Sequence, residues 1–158
     1  MASGPGYNPT YRPQQPLIDR AATEGVLGRR LMGYLVDLVV IAILMGILWF
    51  IIGAVGVLTL GLGWLLYGLL PITPIVYNAL TISGSGQGTI GMRVAGLRVI
   101  DATTGGPVPM LNAAVHALLF YLAVTTAVLL VVDILIGFGR DDRRFGHDLL
   151  SGIALVRR

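Results

Sequence analysis

Three long hydrophobic stretches, at about 31–54, 58–82 and 112–138, decide what this chain can fold into. An α-helix rises about 1.5 Å per residue, so about 20 apolar residues cross the ~30 Å hydrocarbon core of a bilayer. Each stretch is at least that long. Inside lipid a segment must satisfy its own backbone hydrogen bonds, so helices are the expected form. Composition agrees: 55% of the 158 residues are hydrophobic and 12% are charged, whereas a soluble domain is about a quarter charged. A chain this apolar cannot cover its surface with polar groups, so the lipid bilayer is its first expected partner. The length suits one helical unit with no second globular domain.

The polar minority excludes several chemistries. With no cysteine there are no disulfides, thiolate metal sites or cysteine nucleophiles. The two histidines, His116 and His147, lie far apart in sequence, so no metal site and no cofactor are expected. Every basic residue is arginine, and the arginines sit at the edges of hydrophobic runs. That pattern belongs to membrane topology and not to nucleic acid.

In chain order, residues 1–18 are rich in Pro, Gly, Tyr and Gln and read as a disordered tail ahead of a membrane domain over 19–158. Arg29 and Arg30 open the first span. In the second, Pro71 and Pro74 remove amide donors and predict a kinked or opened helix, with Asn78 one turn below Pro74. Residues 83–110 form a polar link in which TIGMRVAGL reads as a short amphipathic helix, LRVID as a strand and TTGGP as a turn. After the third stretch come a charged turn, a helical piece and a strand-like GIALV.

The positive-inside rule puts the N-terminus in the cytoplasm through Arg12, Arg20, Arg29 and Arg30, and returns Arg93 and Arg98 there after two crossings. A third crossing would put five further arginines outside. A re-entrant 112–138 segment, with Thr125-Thr126 near its centre, avoids this and lets LRVID pair with GIALV on one side. The expected fold is therefore an all-α membrane protein. It has three hydrophobic helices, the third either crossing or re-entering, and a small polar cap built from the 84–110 link and the C-terminal block.

Ionisable groups within a span are costly and mark functional candidates. Asp37 lies about two turns inside the first helix and shares a face with Arg30 and Tyr34 at i, i+4, i+7 spacing. Arg30 and Asp37 are ~10 Å apart along the axis, so contact needs a bridge such as the Tyr34 hydroxyl. Asp37 is either a proton or cation site or an anchor paired with an arginine from elsewhere in the fold. Gly33 leaves room for another helix to approach. Asp133, near the end of the third stretch, is the second such carboxylate, within reach of the interface. His116 reads as an interfacial polar residue. His147-Asp148 resembles a His–carboxylate pair, but no nucleophile motif accompanies it, so no enzyme is expected.

Three blocks then resemble the RDD family of small bacterial membrane proteins. GRRLMGYLVDLVV is similar to its first helix, with Arg30 and Asp37 at the motif positions. GTIGMRVAGLRVID is similar to its T-L-G-K-R-x-x-G-L-R-V segment, carrying Thr89, Gly91, Gly96 and Arg98, with Met92 where a basic residue is usual. RRFGHDLLSGIALV resembles the closing block, with His147 and with Asp148 as second aspartate; the literal Arg140-Asp141-Asp142 run is a coincidence. The resemblance implies a multi-pass protein of the bacterial cell membrane that transports a small ligand or exchanges cations for protons. Asp37 would bind the ion, with Arg30 as its charge partner. A three-helix protein encloses little volume, so a homo-oligomer or a membrane-protein partner is expected. The alternative is a non-catalytic accessory subunit that packs on a larger complex through Gly33, Gly46 and Gly53.

Overall fold

The structure, a computed structural model, describes Ile18 and residues 20–158. The expected disordered tail, apart from Ile18, lies outside the described residues. After a short α1 (Arg20–Thr23), the first hydrophobic stretch forms α2, Val26–Leu58. It exceeds the expected span at both ends because nothing between Val26 and Leu58 breaks a helix. Its 33 residues make a rod of ~50 Å. A turn over Thr59–Gly61 reverses the chain, with Gly61 at φ 101°, a left-handed conformation that glycine adopts without a Cβ penalty.

The second stretch runs Leu62–Ser83 and changes winding at its prolines. Leu62–Ile72 is a 3-10 helix, and α3 (Thr73–Ser83) takes over with Pro74 in its first turn. Proline lacks an amide donor, so Pro71 and Pro74 cost little at the end of one helix and the start of the next. Both α2 and this second element are long and apolar enough to cross a membrane. Their outward side chains are large and apolar: Phe50 is 73% and Leu65 80% exposed. Water is a poor solvent for such a face, and hydrocarbon a good one.

The third stretch takes the re-entrant of the two forms expected for it. It forms α5 (Met110–Thr125) and α6 (Ala127–Gly139), broken at Thr126 with φ −124° and ψ 100°. These helices of 16 and 13 residues are ~24 and ~20 Å long, each short of a ~30 Å hydrocarbon core. They fold back as a hairpin, so His116 near the start of α5 and Asp133 in the second half of α6 both reach α7, Gly146–Leu150. No glycine or proline marks the break. The Thr125 hydroxyl instead bonds back to the Leu122 carbonyl at 2.8 Å, and two β-branched threonines weaken the helix there.

The hairpin returns the chain to the polar link. There α4 (Ile90–Val94) precedes β1 (Leu97–Asp101), which pairs antiparallel with β2 (Ile153–Arg157), with Val99 opposite Leu155. The expected pairing of LRVID with GIALV is thus present. The cap it builds has an apolar interior: Leu97, Val99, Ile153 and Leu155 pack with Val26 and Ile82 on one face, while Ile100, Ala154 and Val156 cover the other with Ala22. Among the described residues, the large fully buried apolar side chains Val26, Ile82, Leu97, Val99 and Ile153 sit here, where the ends of α2, α3 and α5 converge.

Candidate functional site

Helix α2 holds two polar segments through ionisable side chains, with Arg29 also donating to the Ala95 carbonyl at 2.8 Å. Arg30, in its second turn, does not pair with Asp37. Its Nη1 lies 2.6 Å from Oδ2 of Asp148 in α7, and its guanidinium stacks 4.4 Å over the Phe145 ring. Asp148 is fully buried, and the same oxygen accepts the Phe145 N–H at 2.9 Å. Among the described residues, Nε and Nη2 of Arg30 and Oδ1 of Asp148 are buried without a hydrogen-bond partner.

Asp37, two turns further along the same face, is saturated by donors. Its Oδ1 accepts the Tyr77 hydroxyl at 2.7 Å and the Gly91 N–H at 2.8 Å; its Oδ2 accepts the Thr89 hydroxyl at 2.5 Å. Thr89 also caps α4, accepting the Met92 N–H at 3.1 Å. The helix that approaches Gly33 is therefore α4. A Cβ at Gly91 would fall onto the Gly33 carbonyl and the Asp37 carboxylate, so only glycine lets the two backbones close. Asp37 is held by hydroxyl and amide donors and not by an arginine.

The other ionisable groups gather between α5, α6 and α7. His116, expected at the interface, is buried, and its ring centroid lies 4.7 Å from that of His147. Asp133, expected to reach the interface, is buried against His147. It accepts the backbone N–H at 2.8 Å and holds ring Nδ1 at 2.6 Å. His147 thus pairs most closely with Asp133; its Nε2 stands 3.4 Å from Oδ1 of its sequence neighbour Asp148. Separation in sequence proves a poor guide: His116, His147 and Asp148 offer ligand atoms all within 4.8 Å of one another.

These groups border a cavity of about 740 Å³ between the hydrophobic helices, lined among others by Arg30, Tyr34, Asp37, His116, Asp133 and His147. Tyr34 bridges nothing; it stands edge-on to Phe120 with ring centroids 5.7 Å apart. Of the remaining motif residues, Gly96 takes φ 71° ahead of β1, and Arg98 is exposed on that strand. Arg140 pairs with Asp142 at 2.8 Å in a local surface turn remote from the cluster's partners. Sequence reasoning missed Tyr77, Tyr121 and Phe145. Phe145 sits one turn before Asp148 in the closing block, and that spacing was its only signal.

Burial by itself would raise the Asp148 carboxyl, but Arg30, the two imidazoles and the Phe145 N–H bring it down from 3.8 to about 2. A carboxyl held low in the fold supports it above its ordinary value, and that support is lost as pH falls through the folded one. Unfolding free energy in detergent is therefore expected to drop by about 2 kcal/mol between about pH 4 and pH 2. Asp148→Asn, followed over the same range, should lack this part of the slope. Equal slopes would show that Asp148 is not held as described.

Among characterised proteins and solved structures, none matches this chain. The sequence does match the RDD family over residues 25–152, from the turn before α2 to the turn before β2. That stretch contains Arg30, Asp37 and Asp148 and every contact that ties them into the fold, so the chain belongs to the RDD family.

Proposed function

We propose that this protein is a multi-pass transporter of the bacterial cell membrane that exchanges a small cation for protons. Its N-terminus and cap would lie on the cytoplasmic side. The observation that carries the reading is the inward convergence of ionisable side chains from hydrophobic helices around one cavity. A protein that merely filled membrane would have no use for buried Arg30, His116, Asp133 and His147, which are expensive in lipid and mark ion paths. The working pair is Asp133–His147. Asp37 is not assigned the ion, because its oxygens are occupied by three donors. The hairpin of α5 and α6 supports a cytoplasmic cap, since it brings the C-terminal arginines to the same end as Arg93 and Arg98.

In proteoliposomes carrying a pH gradient, external Na+, K+ or a divalent cation should dissipate the gradient in the presence of the full chain. Asp133→Asn is expected to slow this at least tenfold. No flux for any cation would end the carrier reading. One observation favours the accessory-subunit alternative: Gly46, midway along α2, has no neighbour beside it on an apolar face, which leaves room for a partner helix. A stoichiometric heterologous membrane protein in mild-detergent preparations, with no flux, is the result it requires. Neither reading is enzymatic.

A further inference from the structure

Asp133 and His147 stand in an arrangement with a specific chemical consequence. A carboxylate on Nδ1 of an imidazole fixes the tautomer with its proton at Nδ1, which leaves the Nε2 lone pair free and more basic. Here the Asp133 carboxylate lies 2.6 Å from Nδ1 of His147. The freed Nε2 points towards Oδ1 of Asp148, 3.4 Å away, and Nδ1 of His116 lies 3.4 Å from the same oxygen. Oδ1 is buried and accepts no hydrogen bond, although its partner oxygen Oδ2 has two donors. The Ser151 hydroxyl donates to the His147 carbonyl at 2.7 Å, and its oxygen stands 3.5 Å from Nδ1 of His116 as a long hydrogen-bond partner.

Both 3.4 Å separations are too long for a charge-assisted N–H···O bond, which closes to about 2.7–2.9 Å. They do fit another spacing. Around an ion with bonds of about 2.0–2.1 Å in tetrahedral geometry, neighbouring ligand atoms stand about 3.3–3.4 Å apart. We propose that His116, His147 and Asp148 form a binding site for a divalent transition-metal ion, zinc foremost, with Asp133 orienting His147 and Arg30 holding the second oxygen of Asp148. The donor set names the class: two imidazole nitrogens and one carboxylate suit zinc and its neighbours, whereas alkali ions, calcium and magnesium take oxygen ligands. An ion there would also balance the negative charge of Asp133, for which no arginine partner is found among the described residues. Three protein ligands leave the fourth position of a tetrahedral ion without a protein ligand. The site goes beyond the carrier reading and holds whether or not the ion moves.

The test is metal binding by the full chain without an affinity tag, purified in mild detergent and stripped with a chelator. Zinc titration read by elemental analysis should reach about one ion per chain, and cobalt should give the visible absorption of a four-coordinate site. His147→Ala and His116→Gln should each abolish saturable binding while the gel-filtration peak and far-ultraviolet circular dichroism stay as in the wild type. Asp133→Asn should keep the stoichiometry and weaken affinity by about 10–100-fold, as loss of an orienting carboxylate does. If His147→Ala does not fold, His116→Gln decides, since its ring makes no polar contact shorter than 3.4 Å. Substoichiometric zinc in the wild type, or undiminished binding in a folded His116→Gln, overturns the site. Zinc binding without zinc flux would leave the site standing and remove the carrier reading for this ion.

Discussion

Arg30→Ala is expected to destabilise the protein by about 3–5 kcal/mol, because it leaves a buried carboxylate with no cation beside it. Asp148 is fully buried, and Arg30 is its arginine partner at 2.6 Å. The same change removes the guanidinium from the Phe145 ring, a stacking contact of roughly 2 kcal/mol where water is excluded. Arg30→Lys is a poor rescue, since an ammonium offers a point charge in place of a planar group that stacks and pairs together. A buried ion pair is not necessarily worth more than apolar packing of similar volume. The double variant Arg30→Met with Asp148→Leu should therefore recover much of the loss, while Asp148→Leu alone should not. Denaturant titration in one detergent, followed by circular dichroism, gives all four values. A single Arg30→Ala within about 1 kcal/mol of the wild type would mean that the pair does not hold α7 to α2.

What the sequence disclosed about this pair, and what it hid, follows from range. Hydrophobic length announced α2 and the second span, and the prolines announced where the second span changes its winding. LRVID and GIALV read as strand-like from local composition, and their pairing followed only once a re-entrant segment put them on one side. The partner of Arg30 is not local: Asp148 lies 118 positions away and meets it only because α5 and α6 fold back. That fold-back rests on Thr125 and Thr126, whose hydroxyl and branched side chains weaken a helix without a glycine or proline to advertise it. The sequence left open whether 112–138 crosses or folds back, and His116 and Asp133, near its two ends, read as interfacial. The hairpin puts both beside His147. The same miss made a metal site look excluded, since two histidines 31 residues apart approach only across the hairpin.

Asp37 gives the second large effect, and it separates two roles that the sequence left open. Asp37→Ala removes the acceptor for the Tyr77 and Thr89 hydroxyls and the Gly91 N–H, each at 2.8 Å or less and all in the interior. A buried donor left without a partner costs about 1–3 kcal/mol, so a loss of at least about 3 kcal/mol is expected. Asp37→Asn should cost less, about 1–2 kcal/mol. Its amide oxygen can still face Tyr77 and Gly91, and its amide nitrogen can donate to Thr89, whose hydroxyl turns to accept. Hydrogen exchange should localise the damage. Amides of Ile90–Val94 are expected to lose protection first in both variants, because Asp37 is what holds that helix against Gly33. An ion-binding carboxylate predicts the opposite order: Asn as harmful to flux as Ala, and neither harmful to the fold. Stability and exchange in Asp37→Ala equal to the wild type would restore that reading. The anchor is favoured because α2 repeats one device along its length. Arg30 holds the segment around Phe145–Asp148, and Asp37 holds the segment around Thr89–Gly91. Two polar segments are thus fixed against an apolar rod by charged side chains of α2, and Arg29 adds a bond to the Ala95 carbonyl at 2.8 Å.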